Sequence, residues 1–319
     1  MTELPSAPSS TPSPTATPAR AKASPLVALS FLAALGLLWG SSINIAKFLA
    51  QEGVPPVAYV FWQTLGAAIV MGVIVRLRGA RLSLSWPHLR FYGVTGIFGI
   101  AIPNMTALFV LGHLSAGVMV LIISVSPLMV YGFAMALRTE AFDGLRALGM
   151  LLGFAGVLAV LLPQSSLPSP DLIPWAVMAL VTPLGYAIAN TYAALDRPAT
   201  GNSLTHGLGY LAVVALLMGP TMVATDQVWL PLFPPKPADL GILLQIAATA
   251  AATLVWLELV HRAGAVYMSQ AGYLVTLVGI ALGMVLWGER HSNWIWLALV
   301  IIFAGIALVN LRTFRQRSA

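Results

Sequence analysis

Residues 115–140 read SAGVMVLIISVSPLMVYGFAMALRTE. No charged side chain interrupts the run from Ser115 to Leu137. About 20 apolar residues suffice for an α-helix to cross the hydrocarbon layer of a bilayer. The run has no alternation of period two, so a helix is expected rather than a barrel strand. Pro127 lies mid-run, where a missing N–H frees a carbonyl one turn earlier and permits a bend.

Working outward, similar runs recur along the whole chain. They fall at 26–49, 55–77, 89–111, 115–137, 145–163, 172–195, 204–225, 238–260, 264–287 and 292–311, which makes ten. Breakers separate them, such as Gly53-Val54-Pro55-Pro56, Arg78-Gly79-Ala80-Arg81 and Asp196-Arg197-Pro198. Of the 319 residues, 59% are hydrophobic and only 8% are charged, with a mean hydropathy of +0.88. Soluble proteins carry about 25% charged residues. This composition excludes an ordinary cytosolic enzyme, a nucleic-acid binder and a disordered scaffold, and leaves an all-α integral membrane protein. There is no cysteine, so disulfides and thiolate chemistry are excluded. No metal-ligand spacing and no phosphate-binding loop is present, so neither a cofactor nor ATP-driven transport is expected.

Residues 1–25 are rich in Pro, Ser and Thr and read as a disordered tail. Residues 312–319 form a short basic tail. With both termini placed in the cytoplasm, thirteen of the sixteen Lys and Arg fall on the inner side of the bilayer. Only Lys47, Lys236 and Arg290 fall outside. This asymmetry is the expected one for a multi-pass protein of the cell inner membrane.

A shift of 149 residues places Glu140 on Glu289, Ala116 on Ala265, Gly156 on Gly305 and Gly36 on Gly185. The two halves, 26–163 and 172–311, each contain five runs, so the second must thread the bilayer in the opposite sense. Inverted repeats of this kind are a construction of secondary transporters, with the substrate held near the midplane. Polar residues deep in the spans face the bundle or a wet cavity, because a polar group facing lipid is costly. Trp39 and Asn44 in the first run, Gln63 in the second, and Asn104 in the third lie at such depth. So do Tyr186 and Asn190 in the sixth run, Trp256 in the eighth, and Gln270 and Tyr273 in the ninth. Amides would bind polar ends of a solute and rings would stack on its apolar part. Packing between helices is the competing use of the same amides and hydroxyls. Lys47, close to a helix end, is expected to snorkel to the surface. Glu258 is expected to pair locally with His261 and Arg262.

Three stretches carry a resemblance to a known family. They are Trp39-Gly40-Ser41-Ser42 followed by Lys47, Ser124-Val125-Ser126-Pro127, and Gly288-Glu289-Arg290 followed by Gly305. In order and spacing the chain resembles the drug/metabolite transporter superfamily, EamA type, over about residues 26–311. Two departures stand out: Gln63 occupies a position where members often carry Arg, and the first half ends in Thr139-Glu140-Ala141 rather than Gly-Glu-Arg. The resemblance implies a carrier, often an exporter, of small metabolites such as amino acids. The expectation is a ten-helix secondary transporter whose partners are a small-molecule substrate and the lipid bilayer, with proton coupling left open. The alternatives are an intramembrane lipid-modifying enzyme and a non-transporting scaffold or receptor.

Overall fold

The computed structural model describes residues 25–138, 143–161, 169–231, 234–263 and 271–318, and these contain helices and loops but no strand. In chain order the helices are α1 (Pro25–Gln51), α2 (Pro56–Leu77), α3 (Trp86–Gly96), α4 (Ile102–Leu111), α5 (Ala116–Ile123), α6 (Ser126–Ala136) and α7 (Gly144–Leu161). There follow α8 (Ile173–Ala179), α9 (Val181–Leu195), α10 (Ser203–Ala224), α11 (Pro237–Ala263), α12 (Ala271–Trp287) and α13 (Asn293–Ser318).

Seven helical stretches among the described residues are long and apolar enough to cross a membrane: 29–51, 56–77, 86–111, 116–136, 170–193, 203–224 and 237–256. The other three expected runs coincide with shorter apolar helices at 147–156, 274–287 and 293–305. The chain is therefore an all-helical, multi-pass membrane protein.

Proline sets the breaks inside the spans. Pro103 follows a π-helical turn at Ile97–Ala101 that joins α3 to α4. The wider turn accommodates a ring that would otherwise strike the carbonyl one turn earlier. Gly185 lets α9 press onto this bulge, since a Cβ there would lie 2.7 Å from the Phe98 carbonyl oxygen. Pro127 stands at the start of α6, just after the break that separates it from α5. Pro183 stands in the first turn of α9, after a similar break at Leu180. Both prolines thus divide a span into two helices instead of merely curving one.

Glycines set the tightest approaches. Gly36 and Gly40 seat α1 against Leu274 and Val278 of α12. α7 packs against α13 along a second such seam. There Gly156 faces Ala298 and Ile302, while Gly305 faces Gly149 and Gly153. The largest apolar core joins α1, α2, α4, α5, α6, α8, α10 and α11, with contributions from α12 and α13.

Candidate binding site and the two closed ends

The candidate residues separate into distinct groups. Trp39 and Trp256 are brought together in an apolar cluster with Leu35, Ala252, Ala271 and Leu274. Asn44 is buried and fully engaged. Its Nδ2 donates to the carbonyls of Gly40 and Gly279, at 3.2 and 3.3 Å, and its Oδ1 accepts from Trp287 Nε1 at 3.1 Å. This residue therefore ties α1 to α12, which is the packing use of an amide. Tyr186 donates its hydroxyl proton to Asn104 Oδ1 at 3.3 Å, joining α9 to α4. Asn190, one turn further along α9, is exposed. Gln270 lies outside the described residues, as do the side chains of Tyr273, Glu258, His261 and Arg262.

Gln63 meets a partner on the other half of the chain. Gln245 Nε2 donates to Gln63 Oε1 at 3.0 Å, with the two residues only 3% and 1% exposed. Gly66, three residues along α2, makes this approach possible. A Cβ there would lie 2.5 Å from Ile246 of α11, so the two helices nearly touch. The second half of each amide is unpaired: among the described residues neither Gln63 Nε2 nor Gln245 Oε1 has a hydrogen-bond partner. A buried polar group left in this way costs about 1–3 kcal/mol.

Both ends of the bundle are tied by charge. At the end where α1 finishes, Lys47 is buried and forms an ion pair with Glu289. Lys47 does not snorkel, contrary to the expectation from its position near a helix end. The reason is that the Glu289 carboxylate and the Trp287 ring, 5.4 Å from Lys47 Nζ, supply an internal site for the ammonium. Gly288 adopts a positive φ of 62° at the end of α12 and turns the chain toward Glu289. Glu289 also caps α5, accepting from the N–H groups of Ala116 at 2.7 Å and Gly117 at 3.1 Å. Those donors have no partner within their own helix. His291 Nε2 lies 3.4 Å from the same carboxylate. Burial alone would raise the pKa of Glu289, but His291, Lys47 and the two backbone donors outweigh it and hold the carboxyl down at about 2.

At the opposite end, Arg90 of α3 pairs with Asp196, which also accepts from Tyr192. Tyr192 and Arg90 together keep the Asp196 carboxyl below its ordinary range, against a smaller effect of burial. Two histidines from different helices, His88 and His206, both reach the Thr200 carbonyl, at 3.0 and 3.2 Å. They pin the loop between α9 and α10 against α3. Sequence reasoning missed this cluster because its members are far apart in the chain.

Residues 26–162 are matched by the EamA-like transporter family. The first half of the chain is thus similar to the EamA-like transporter family. An uncharacterized transporter of Bacillus subtilis (strain 168), YvbV, is 23% identical over 295 residues, covering 90% of this chain and 93% of that protein. A protein known by its crystal structure shares the fold, with a TM-score of 0.58 at 18% identity, over 87% of this chain and 98% of that one. The chain is thus a multi-pass membrane protein with a half that resembles a transporter family.

Proposed function

We propose that this protein is a secondary transporter, working as an exporter, that moves a small neutral or amphipathic metabolite by alternating access. An amino acid or related solute is the nearest class implied by the family. The observation that carries this reading is that polar side chains from the two halves meet inside the bundle. Gln63 meets Gln245, and Asn104 meets Tyr186. Each lies within about one and a half helical turns of the middle of its span, counting 1.5 Å of rise per residue. The ion pairs Lys47–Glu289 and Arg90–Asp196 close opposite ends, so the state described here is read as occluded.

The same reading takes the chain as ten spans in two inverted five-helix units, in the inner membrane, with both termini cytoplasmic. Support comes from the seam between α7 and α13. A shift of 149 carries Gly156 onto Gly305, and carries Gly149 and Gly153 onto Ala298 and Ile302. The contacts of Gly156 and of Gly305 therefore exchange under the shift, which is the behaviour of a twofold relation.

Two measurements test the proposal. Gln63→Ala and Asn104→Ala are expected to lower flux in proteoliposomes at least tenfold while leaving folded protein in detergent. Full activity in both would remove these residues from the transport path. Since the chain has no native cysteine, single cysteines at Ser83 and Ser292 can be labelled unambiguously in intact cells. The expectation is that only Ser292→Cys reacts with an impermeant reagent, whereas equal labelling would contradict the orientation. Flux that ignores an imposed pH gradient would mark facilitated diffusion over proton coupling.

A further inference from the structure

We infer that the Gln63–Gln245 pair reads a neutral amide edge on the cargo, such as a carboxamide, a lactam or the face of a nucleobase, and rejects the corresponding carboxylate. This rests on the transport reading and adds the chemistry of the group recognised. Two primary amides in contact can close a ring of two N–H···O bonds. Here only one forms, from Gln245 Nε2 to Gln63 Oε1. The remaining complement is one donor, Gln63 Nε2, and one acceptor, Gln245 Oε1, both buried and both unpaired. Exchanging nitrogen and oxygen in both side chains leaves the same complement, so the conclusion does not depend on how the amides are oriented. A ligand that satisfies it must accept at one atom and donate at the next. An amide edge does both; a carboxylate offers no donor, and an ammonium offers no acceptor.

The surroundings oppose a charged ligand. The charged residue of α2 is Arg76, 13 positions from Gln63 and about 20 Å along the axis. On α11, Asp239 is 6 positions from Gln245 and accepts from Trp229 Nε1 at 3.0 Å and from Lys236 N at 2.9 Å. Lys47 of α1 is engaged by Glu289. Among the described side chains, an ion at the amide pair would therefore be buried without a counter-charge, which is the costlier alternative. The same geometry links cargo to movement. With α2 and α11 pressed together at Gly66, closing the site when empty seals two unsatisfied groups, and closing it around an amide satisfies them. A ligand shifts such an equilibrium only by its preference for one state, and here that preference is built from these two bonds.

The test uses pairs of probes that differ in little but the amide edge: glutamine and glutamate, asparagine and aspartate, nicotinamide and nicotinate. Radiolabelled counterflow in proteoliposomes and thermal stabilisation of the purified full-length protein are read in parallel. At least one amide is expected to compete or stabilise tenfold or more below the concentration its acid needs. The double variant Gln63→Met with Gln245→Met removes both unpaired groups without leaving a cavity, so it should remain folded and melt at or above the temperature of the parent. It should lose the preference for the amide. Equal effects of acid and amide across all three pairs overturn the proposal, and so does a preference that survives in the double variant. A pair filled by water only falls under the first of these outcomes. Counterflow without discrimination overturns the amide reading and leaves transport standing. Amide-selective stabilisation without counterflow of any probe supports the amide site and counts against transport.

Discussion

Replacing Glu289 by glutamine is expected to destabilise the protein by about 3–5 kcal/mol, the range found when one partner of a buried ion pair is removed. The variant leaves the Lys47 ammonium buried beside the Trp287 ring without its counter-ion. It also weakens the cap on α5, since Ala116 N and Gly117 N donate to different carboxylate oxygens and a neutral amide keeps only one of these acceptors. Substituting Lys47→Met in the same chain removes the stranded cation, and the double variant should recover part of the loss. The measurement is thermal or denaturant unfolding in detergent for the parent, both single variants and the double variant. An unchanged melting temperature in Glu289→Gln would show that the pair contributes nothing.

The same site predicts a dependence on pH. The carboxyl titrates near 2 in the folded protein, below its ordinary value of 4.5, with burial opposing the shift and His291, Lys47 and the backbone donors producing it. A depressed folded pKa stabilises fully above the unfolded value and ceases to do so as pH falls through the folded one. The parent should therefore lose stability between about pH 5 and pH 2 more steeply than Glu289→Gln, and the two curves should converge at the acid end. Parallel curves would contradict the assignment.

Gly305→Ala is expected to cost about 3 kcal/mol and in the worst case to prevent α7 and α13 from docking. Its Cβ would lie 2.5 Å from the Gly149 carbonyl oxygen and 2.7 Å from the Gly153 nitrogen. These are backbone atoms, so the helices themselves must separate. Gly156→Ala should cost less, because its shortest contact, 2.6 Å, is with Cγ1 of Ile302, a side chain that can move. Gly272→Ala meets nothing within 4 Å and serves as the control, with a gain of up to about 1 kcal/mol from a less flexible unfolded chain. Melting temperatures of the three should rank in that order, and a Gly305→Ala protein as stable as Gly272→Ala would overturn the close approach.

Seven of the ten expected spans were legible in the residues as helices of membrane length. Apolar length, the turn chemistry at Gly53-Val54-Pro55-Pro56 and Asp196-Arg197-Pro198, and a bend at Pro127 are local properties, whereas the division of that span into two helices was not legible. Asn104 and Tyr186 were legible as polar residues at depth, because a bilayer penalises such groups wherever the chain runs. Their contact was not, since nothing local to α4 specifies α9.

The same division separates Gln63 from Gln245. Both are visible as amides in apolar helices, yet a distance of 182 positions hides that they share one hydrogen bond and leave one donor and one acceptor. Asn44 shows the opposite outcome: an equally plausible amide is consumed by Gly40, Gly279 and Trp287. Lys47 looked like a surface cation until the fold supplied Glu289. Composition and periodicity thus decide that the chain enters the membrane as helices, because the solvent acts on each segment separately. Which buried polar atoms are satisfied, and which stay open to a ligand, depends on the neighbour that packing brings to within 3 Å, and only the folded arrangement of helices chooses that neighbour.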